Sequence, residues 1–128
     1  HAYTMTELGL SFVPPNSDPD SLDAASNIDD RLAFSVCHAL ARKEGLLLGA
    51  STGAIVAGTL ADVSRCKSPQ RVLMINPDRG DRYLETVYNA EWLEQQQISL
   101  WQEPELSRVI ESLQSVPLDV LRCQGVAA

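Results

Sequence analysis

LLLGASTGAIVAG, residues 46–58, decides how this chain reads. Leu46, Leu47 and Leu48 form a short continuous apolar run, Gly49 and Ala50 are small, and Ser51-Thr52-Gly53 offers two hydroxyls and a glycine. Residues 52–64 then carry a helical pattern, and Arg71 to Asn76 (RVLMIN) is a second continuous apolar run. Runs of that kind are expected of strands buried on both faces of a parallel sheet. The predicted unit is strand, turn, helix, loop, strand, a βαβ crossover, with Pro77 to Asp81 (PDRGD) turning immediately after the second strand.

Working outward, Leu32, Val36 and Leu40 recur at helical spacing with Ala33, Cys37 and Ala39 beside them, which predicts a helix over 30–44. Asp29 or Asp30 is the expected N-cap and Gly45 the expected stop. Before it, SFVPPNSDPDSLDAASNIDD (11–30) is rich in Pro, Asp, Asn and Ser and reads as a surface loop with at most a short strand or a turn of helix. Further on, PELSRVIESLQ (104–114) predicts a late helix. Trp101, Leu106, Val109, Ile110 and Leu113 are placed to pack on the core rather than to form a dimer face. Two strands and one crossover cannot cover both faces of a parallel sheet, so the core read this way is incomplete and more chain is expected.

With 128 residues and 45% apolar content, one domain is expected. A formal charge of −7 with no Lys/Arg cluster argues against a nucleic-acid partner, whose phosphates need neutralising. No window approaches the roughly 18 apolar residues of a membrane span, and no signal peptide is visible, so the chain reads as soluble with no membrane partner. Cys37, Cys66 and Cys123 are odd in number and far apart, which predicts neither a disulfide framework nor a thiolate metal site, and points to a reducing, cytoplasmic setting. His1 and His38 are the only imidazoles and show no metal-ligand spacing, so no metal is expected.

In open α/β folds ligands sit beyond the carboxyl ends of strands, where a loop enters a helix N-terminus. Ser51 and Thr52 occupy such a position. Taken alone, the turn reads more simply as a helix cap, one hydroxyl accepting from an N–H of the first turn while Gly53 allows close packing. Three segments change that reading. GLSFVPPNSD (9–18), RKEGLLLGASTGAIVAGTL (42–60) and VLMINPDRGDRYLETVY (72–88) follow one another in the order and at about the spacing found in the C-terminal part of cysteine synthases. Over roughly residues 7–90 the chain resembles the fold-type II, pyridoxal-phosphate-dependent β-replacement family, which also includes cystathionine β-synthase. EGLLLGASTGA together with PDRGDRYL is the most specific part of the likeness. DRGDRYLETVYNAEW (78–92) is similar to a siderophore-pathway branch of the family making N-(2-amino-2-carboxyethyl)-L-glutamate, a 2,3-diaminopropionate precursor.

The resemblance implies an α/β fold with a parallel sheet flanked by helices, incomplete without an upstream half. Residues 1–92 would belong to the catalytic fold and 93–128 to a helical C-terminal extension. By motif position Ser51 would hydrogen-bond the pyridine nitrogen of pyridoxal phosphate, with Thr52 and Gly53 completing the cofactor-binding turn. A neutral hydroxyl at the positive end of a helix leaves that nitrogen unprotonated, which suits β-elimination. Gly9 and Arg79 are candidate substrate-binding residues, Arg79 because a guanidinium suits a carboxylate or phosphate. Asp78 and Arg79 otherwise read as a solvated turn, and Arg82 and Tyr83 as structural.

Lys43 and Lys67 are the only lysines, and neither lies in the family's Ser-x-Lys-x-Arg type segment; a Gly-Thr-Gly-Gly-Thr type phosphate loop is likewise missing. The Schiff-base lysine is therefore expected outside this chain, which reads as the inactive C-terminal piece of an enzyme about 2.5 times longer. That enzyme would be a cytoplasmic homodimer acting on small amino-acid substrates, eliminating a β-substituent from an activated serine and adding a nucleophile to the aminoacrylate. O-phosphoserine with glutamate is the favoured pair. The alternatives are a cysteine synthase using O-acetylserine and sulfide, and a non-catalytic binding or scaffold module derived from the same fold.

Overall fold

The computed structural model describes residue 18, residues 21–113 and residues 116–117. Helix α1, Asp30–Glu44, starts where local chemistry says it should: the Asp29 carboxylate accepts from Leu32 N–H at 2.7 Å. Asp30 sits in its positive first turn and Arg42 and Lys43 in its negative last turn. Gly45, in the left-handed region at φ 68°, closes it, and Leu46 N–H turns back to Leu40 O at 3.2 Å.

Helix α2, Ala50–Ser64, packs along α1 through small residues. Ala50, Gly53, Ala57 and Ala61 recur at helical spacing and are buried. At Gly53 a Cβ would overlap the main-chain oxygen of Ala33 and lie 2.6 Å from Cys37 Sγ, so only hydrogen allows the two helices to approach this closely. A 3₁₀ turn, Gly80–Tyr83, leads to α3, Ala90–Gln95, whose N-cap Asn89 accepts from Trp92 N–H at 3.0 Å. Helix α4, Glu105–Ser112, follows.

The core has two lobes. In one, Leu32 and Val36 of α1 meet Val56, Ala57 and Ala61 of α2 and Leu106 and Ile110 of α4, with Trp101, Val109 and Leu113 packed against them. In the other, Ala33, Phe34 and Cys37 meet Ala50, Tyr83, Val87 and Leu93. The late helix thus belongs to the same core as the crossover helix. Its approach is pinned at Ser35, which donates to Arg31 O at 2.6 Å and accepts from Trp101 N–H at 2.8 Å, and by the Arg31 guanidinium, 3.3 Å from the Trp101 ring centroid.

The parallel sheet expected from the two apolar runs is not formed among the described residues. Strand pairing there consists of β1, Ala24–Ala25, against β2, Val116–Pro117, in antiparallel register (Ala24 to Pro117, Ala25 to Val116), and one isolated antiparallel bridge between Leu48 and Arg79. Neither 46–48 nor 71–76 is a strand. The physical reason lies in their neighbours: Leu73 and Ile75 are 93% and 75% exposed and Val72 and Met74 46% and 45%, so one face of the segment is open and the other only partly covered. Helix α2 begins two residues earlier than the sequence suggested, and α3 was not anticipated.

Candidate functional site

Leu47, Leu48 and Gly49 run into α2 as a turn whose main-chain groups are engaged one after another. Leu47 O accepts from Gly80 N–H at 3.1 Å, and Gly49 N–H donates to Asp78 O at 3.1 Å. The Tyr88 hydroxyl serves both sides of Leu48, donating to its carbonyl at 2.7 Å and accepting from its N–H at 3.2 Å. Gly49 O takes the N–H groups of Thr52 and Gly53, at 3.0 and 3.2 Å, and the Cys37 thiol at 3.4 Å. A turn held this completely is a rigid mount for whatever side chain it presents.

The side chain it presents is Ser51. Gly49, not a hydroxyl, is the N-cap of α2, and it makes no side-chain cap bond, which corrects the simpler reading of the turn. Thr52 is buried, and its Oγ1 donates to Asn76 Oδ1 in a short hydrogen bond that ties the start of α2 to the end of the 71–76 run. Gly53 is the packing glycine against α1. Ser51 alone, half-buried in the first turn, keeps a hydroxyl that makes no hydrogen bond among the described residues. It lies at the positive end of a fifteen-residue helix. A neutral donor and acceptor so placed fits a heteroaromatic nitrogen, which wants one directed partner and no formal charge beside it.

Across the turn, Asp78 is not the solvated residue the sequence suggested. Its Oδ2 accepts from Tyr83 Oη at 2.5 Å, while Oδ1 is buried with no hydrogen-bond partner among the described residues and occupies the space a Gly49 Cβ would need. Tyr83 is buried, in keeping with a structural role. Arg79 and Arg82 are exposed, and Arg79 Nε pairs with Asp81 Oδ1 at 3.2 Å. Gly9 lies outside the described residues. Lys43, in the last turn of α1, is exposed and pairs with Glu103 at 3.1 Å, and Lys67 is exposed after α2; neither side chain bonds to a residue of the turn. Tyr88 and Asn76 were missed by sequence reasoning. Asn76 had one local signal, a polar residue ending an apolar run directly before Pro77.

Behind the turn, burial pushes the Cys37 thiol up to about 11 and the Tyr88 phenol up to about 12, so both stay neutral and serve as hydrogen-bonding groups. Cys66 is free and exposed, and Cys123 lies outside the described residues. Tyr88 is braced by His38, whose ring stacks on it at 5.2 Å and 28°. His38 Nε2 donates to Val87 O at 2.7 Å, and Nδ1 accepts from Arg42 at 3.3 Å. Burial holds the His38 pKa below the ordinary 6.5; the Val87 carbonyl opposes this and Arg42 adds to it.

The consequence has a definite sign. Between its lowered folded pKa and the unfolded value of about 6.5, the unfolded chain binds the proton more readily. The stabilisation from neutral His38 is complete above about pH 6.5 and is lost as pH falls toward the folded value. Thermal midpoints taken from about pH 7.5 down to about pH 5.5 should fall further for the wild type than for His38→Gln. Parallel curves would show that His38 does not couple to folding.

Compared with known proteins, this turn lies within a segment shared with one enzyme group. The chain is related to the cysteine synthase-like, fold-type II pyridoxal-phosphate enzymes, as the resemblance implied. It is 38% identical over 86 residues to N-(2-amino-2-carboxyethyl)-L-glutamate synthase of Ralstonia nicotianae, a match covering 67% of this chain and 25% of that protein. The enzyme of the same name from Cupriavidus metallidurans is 40% identical over 89 residues, 67% of this chain and 26% of the relative. A cysteine synthase of Helicobacter pylori is 42% identical over 77 residues, 60% of this chain and 25% of that enzyme. The chain therefore spans about a quarter of the length of the curated relatives it matches. No family model matches it. No described helix is long and apolar enough to cross a membrane.

Proposed function

We propose that this chain is the C-terminal part of a pyridoxal-phosphate-dependent enzyme that replaces the β-substituent of an activated serine, and that Ser51 hydrogen-bonds the cofactor's pyridine nitrogen. The observation that carries this reading is the Ser51 hydroxyl itself: half-buried, at the start of α2, and without a protein hydrogen bond among the described residues, beside a turn whose Leu47 carbonyl and Leu48 and Gly49 main-chain groups are engaged. Bound pyridoxal phosphate supplies an electron sink for the bond-breaking at the substrate amino acid. This chain's own contribution is orientation and electrostatics. Ser51 offers a neutral hydrogen bond at the positive end of a helix, so no proton is held at the ring nitrogen. Tyr88 and the Thr52–Asn76 bond keep the turn from drifting. The lysine and the phosphate cradle would come from the remainder of the protein, since neither Lys43 nor Lys67 bonds to a residue of the turn.

For substrates, O-phosphoserine and glutamate are the favoured pair, in a siderophore pathway, with phosphate as the leaving group. The match to two N-(2-amino-2-carboxyethyl)-L-glutamate synthases supports this pair, as do two exposed arginines, Arg79 and Arg82, in the segment that holds the turn. A cysteine synthase using O-acetylserine and sulfide is the second reading, favoured by the 42% identity to the Helicobacter pylori enzyme. A cytoplasmic homodimer completes the proposal. Phosphate release by the full-length protein should depend on added glutamate; cysteine formation that outruns it would decide for the second reading.

The test of Ser51 is direct. In the full-length protein Ser51→Ala should retain cofactor and lose about 0.5–1.5 kcal/mol of rate, the worth of one neutral hydrogen bond. Ser51→Asp should lose more, because a carboxylate would hold a proton on the ring nitrogen and move the cofactor's absorption band. An aspartate variant with unchanged spectrum and turnover would show that Ser51 does not face the cofactor.

A further inference from the structure

The feature the proposed function leaves unexplained is the side chain of Asp78. A buried carboxylate oxygen with no donor is costly to keep, yet among the described residues Asp78 Oδ1 is in that state, laid over the α-carbon of Gly49. The same residue's main-chain oxygen accepts the Gly49 N–H at 3.1 Å, and its Oδ2 is fixed by Tyr83 Oη at 2.5 Å. Gly80, two residues on, donates to Leu47 O at 3.1 Å, and Arg79 between them bridges to Leu48. One short segment thus fixes the path of Leu47 to Gly49 from outside, with Asp78 touching Gly49 by main chain and side chain together.

Gly49 is the N-cap of α2, and its carbonyl takes the N–H groups of Thr52 and Gly53, the third and fourth residues of the helix. A rotation of that peptide would re-aim the first turn, and Ser51 is in that turn. The carboxylate also stands at the positive end of α2, where a negative charge is favoured.

We propose that Asp78, oriented by Tyr83, is a positioning residue for the Ser51 hydroxyl: it sets where α2 starts and hence where Ser51 points. The proposal rests on the cofactor reading of Ser51 for its catalytic meaning and on the geometry above for its structural part. The test uses the full-length protein and the variants Asp78→Ala and Asp78→Asn. Amide hydrogen exchange over residues 46–53 is measured without cofactor, and the absorption spectrum with pyridoxal phosphate added. In Asp78→Ala, exchange at the Gly49 and Ala50 amides should rise about tenfold or more with residues 30–44 unchanged, a local opening and not a global one. The cofactor band should shift or broaden in the same variant. Asp78→Asn, whose side-chain oxygen still accepts from Tyr83, should restore both readouts.

Unchanged exchange at Gly49 in Asp78→Ala, or an equal rise throughout α1, overturns the proposal, as does an asparagine variant no better than alanine. Should Asp78→Ala fail to fold, Tyr83→Phe takes its place: it removes only the hydroxyl that holds the carboxylate, and unchanged exchange at Gly49 there is also decisive against. A wild-type protein that gives no cofactor band sinks the Ser51 reading alone, because the exchange measurements do not depend on it.

Discussion

Phe34→Ala is expected to lower the stability of the fold by about 3–5 kcal/mol, the cost of emptying an aromatic site that its surroundings cannot fill. Phe34 is fully buried and the largest of the fully enclosed side chains. Its ring stands tilted at 50° to Trp92 with centroids 6.2 Å apart, within the lobe shared with Tyr83, Val87 and Leu93. Because α1 carries it and the 80–95 segment surrounds it, the truncation loosens the element that bears both Tyr83 and Tyr88. Against a total stability of about 5–15 kcal/mol for a typical domain, the loss takes a large share. Urea unfolding of wild type and variant measures it, and a difference below about 1 kcal/mol would mean that the lobe collapses around the gap.

Gly53→Val should be the next most damaging change, at or beyond the upper end of the roughly 1–3 kcal/mol cost of overpacking. In an open helix interior, replacing glycine normally helps, since glycine is about 1 kcal/mol worse than alanine there. Here the new atoms would meet the Ala33 carbonyl and the Cys37 sulfur, and a main-chain oxygen cannot rotate away. Gly58 on the same helix supplies the control. A Cβ there comes no nearer than 4.0 Å to Ser26 Cβ, so Gly58→Ala should stabilise by about 0.5–1 kcal/mol. Gly53→Ala and Gly58→Ala share a helix and differ only in what lies opposite, so thermal midpoints moving in the same direction would refute the close α1–α2 contact as the deciding term.

Some of this was legible in the sequence and some was not, and the division follows the range of the interactions. The Asp29 cap, the Gly45 stop and the face of α1 depend on residues within a few positions of one another, and they were readable. The Ser51 turn was locatable for the same reason, and the resemblance singled out Ser51 in it; what the local pattern could not supply is that Thr52 is taken by Asn76, far along the chain, and that the cap falls on Gly49. Asp78 looked solvated because nothing near it in sequence announces Gly49 lying beneath. Helix α3 has six residues, too few for its apolar period to stand out, and only Asn89 marks its start. RVLMIN misled in the opposite direction. Its composition records what a segment is suited to pair with, but a strand exists only when neighbours supply hydrogen bonds on its edges.

That same ribbon bears on how this stretch of chain behaves apart from the remainder of the protein proposed above. Val72, Leu73, Met74 and Ile75 present apolar side chains on both faces, the kind of segment that finds another copy of itself edge to edge. Self-propagating stacks draw on uninterrupted runs of about six or seven residues. Here a charge at Arg71 and an imino acid at Pro77 bracket the run, and Asn76 shortens its apolar part to four. These flanking residues act as gatekeepers, the positions where natural sequences restrain aggregation. Arg71 and Pro77 are thus the two places where a neutral, hydrogen-bonding replacement would turn an exposed surface into a nucleus for precipitation.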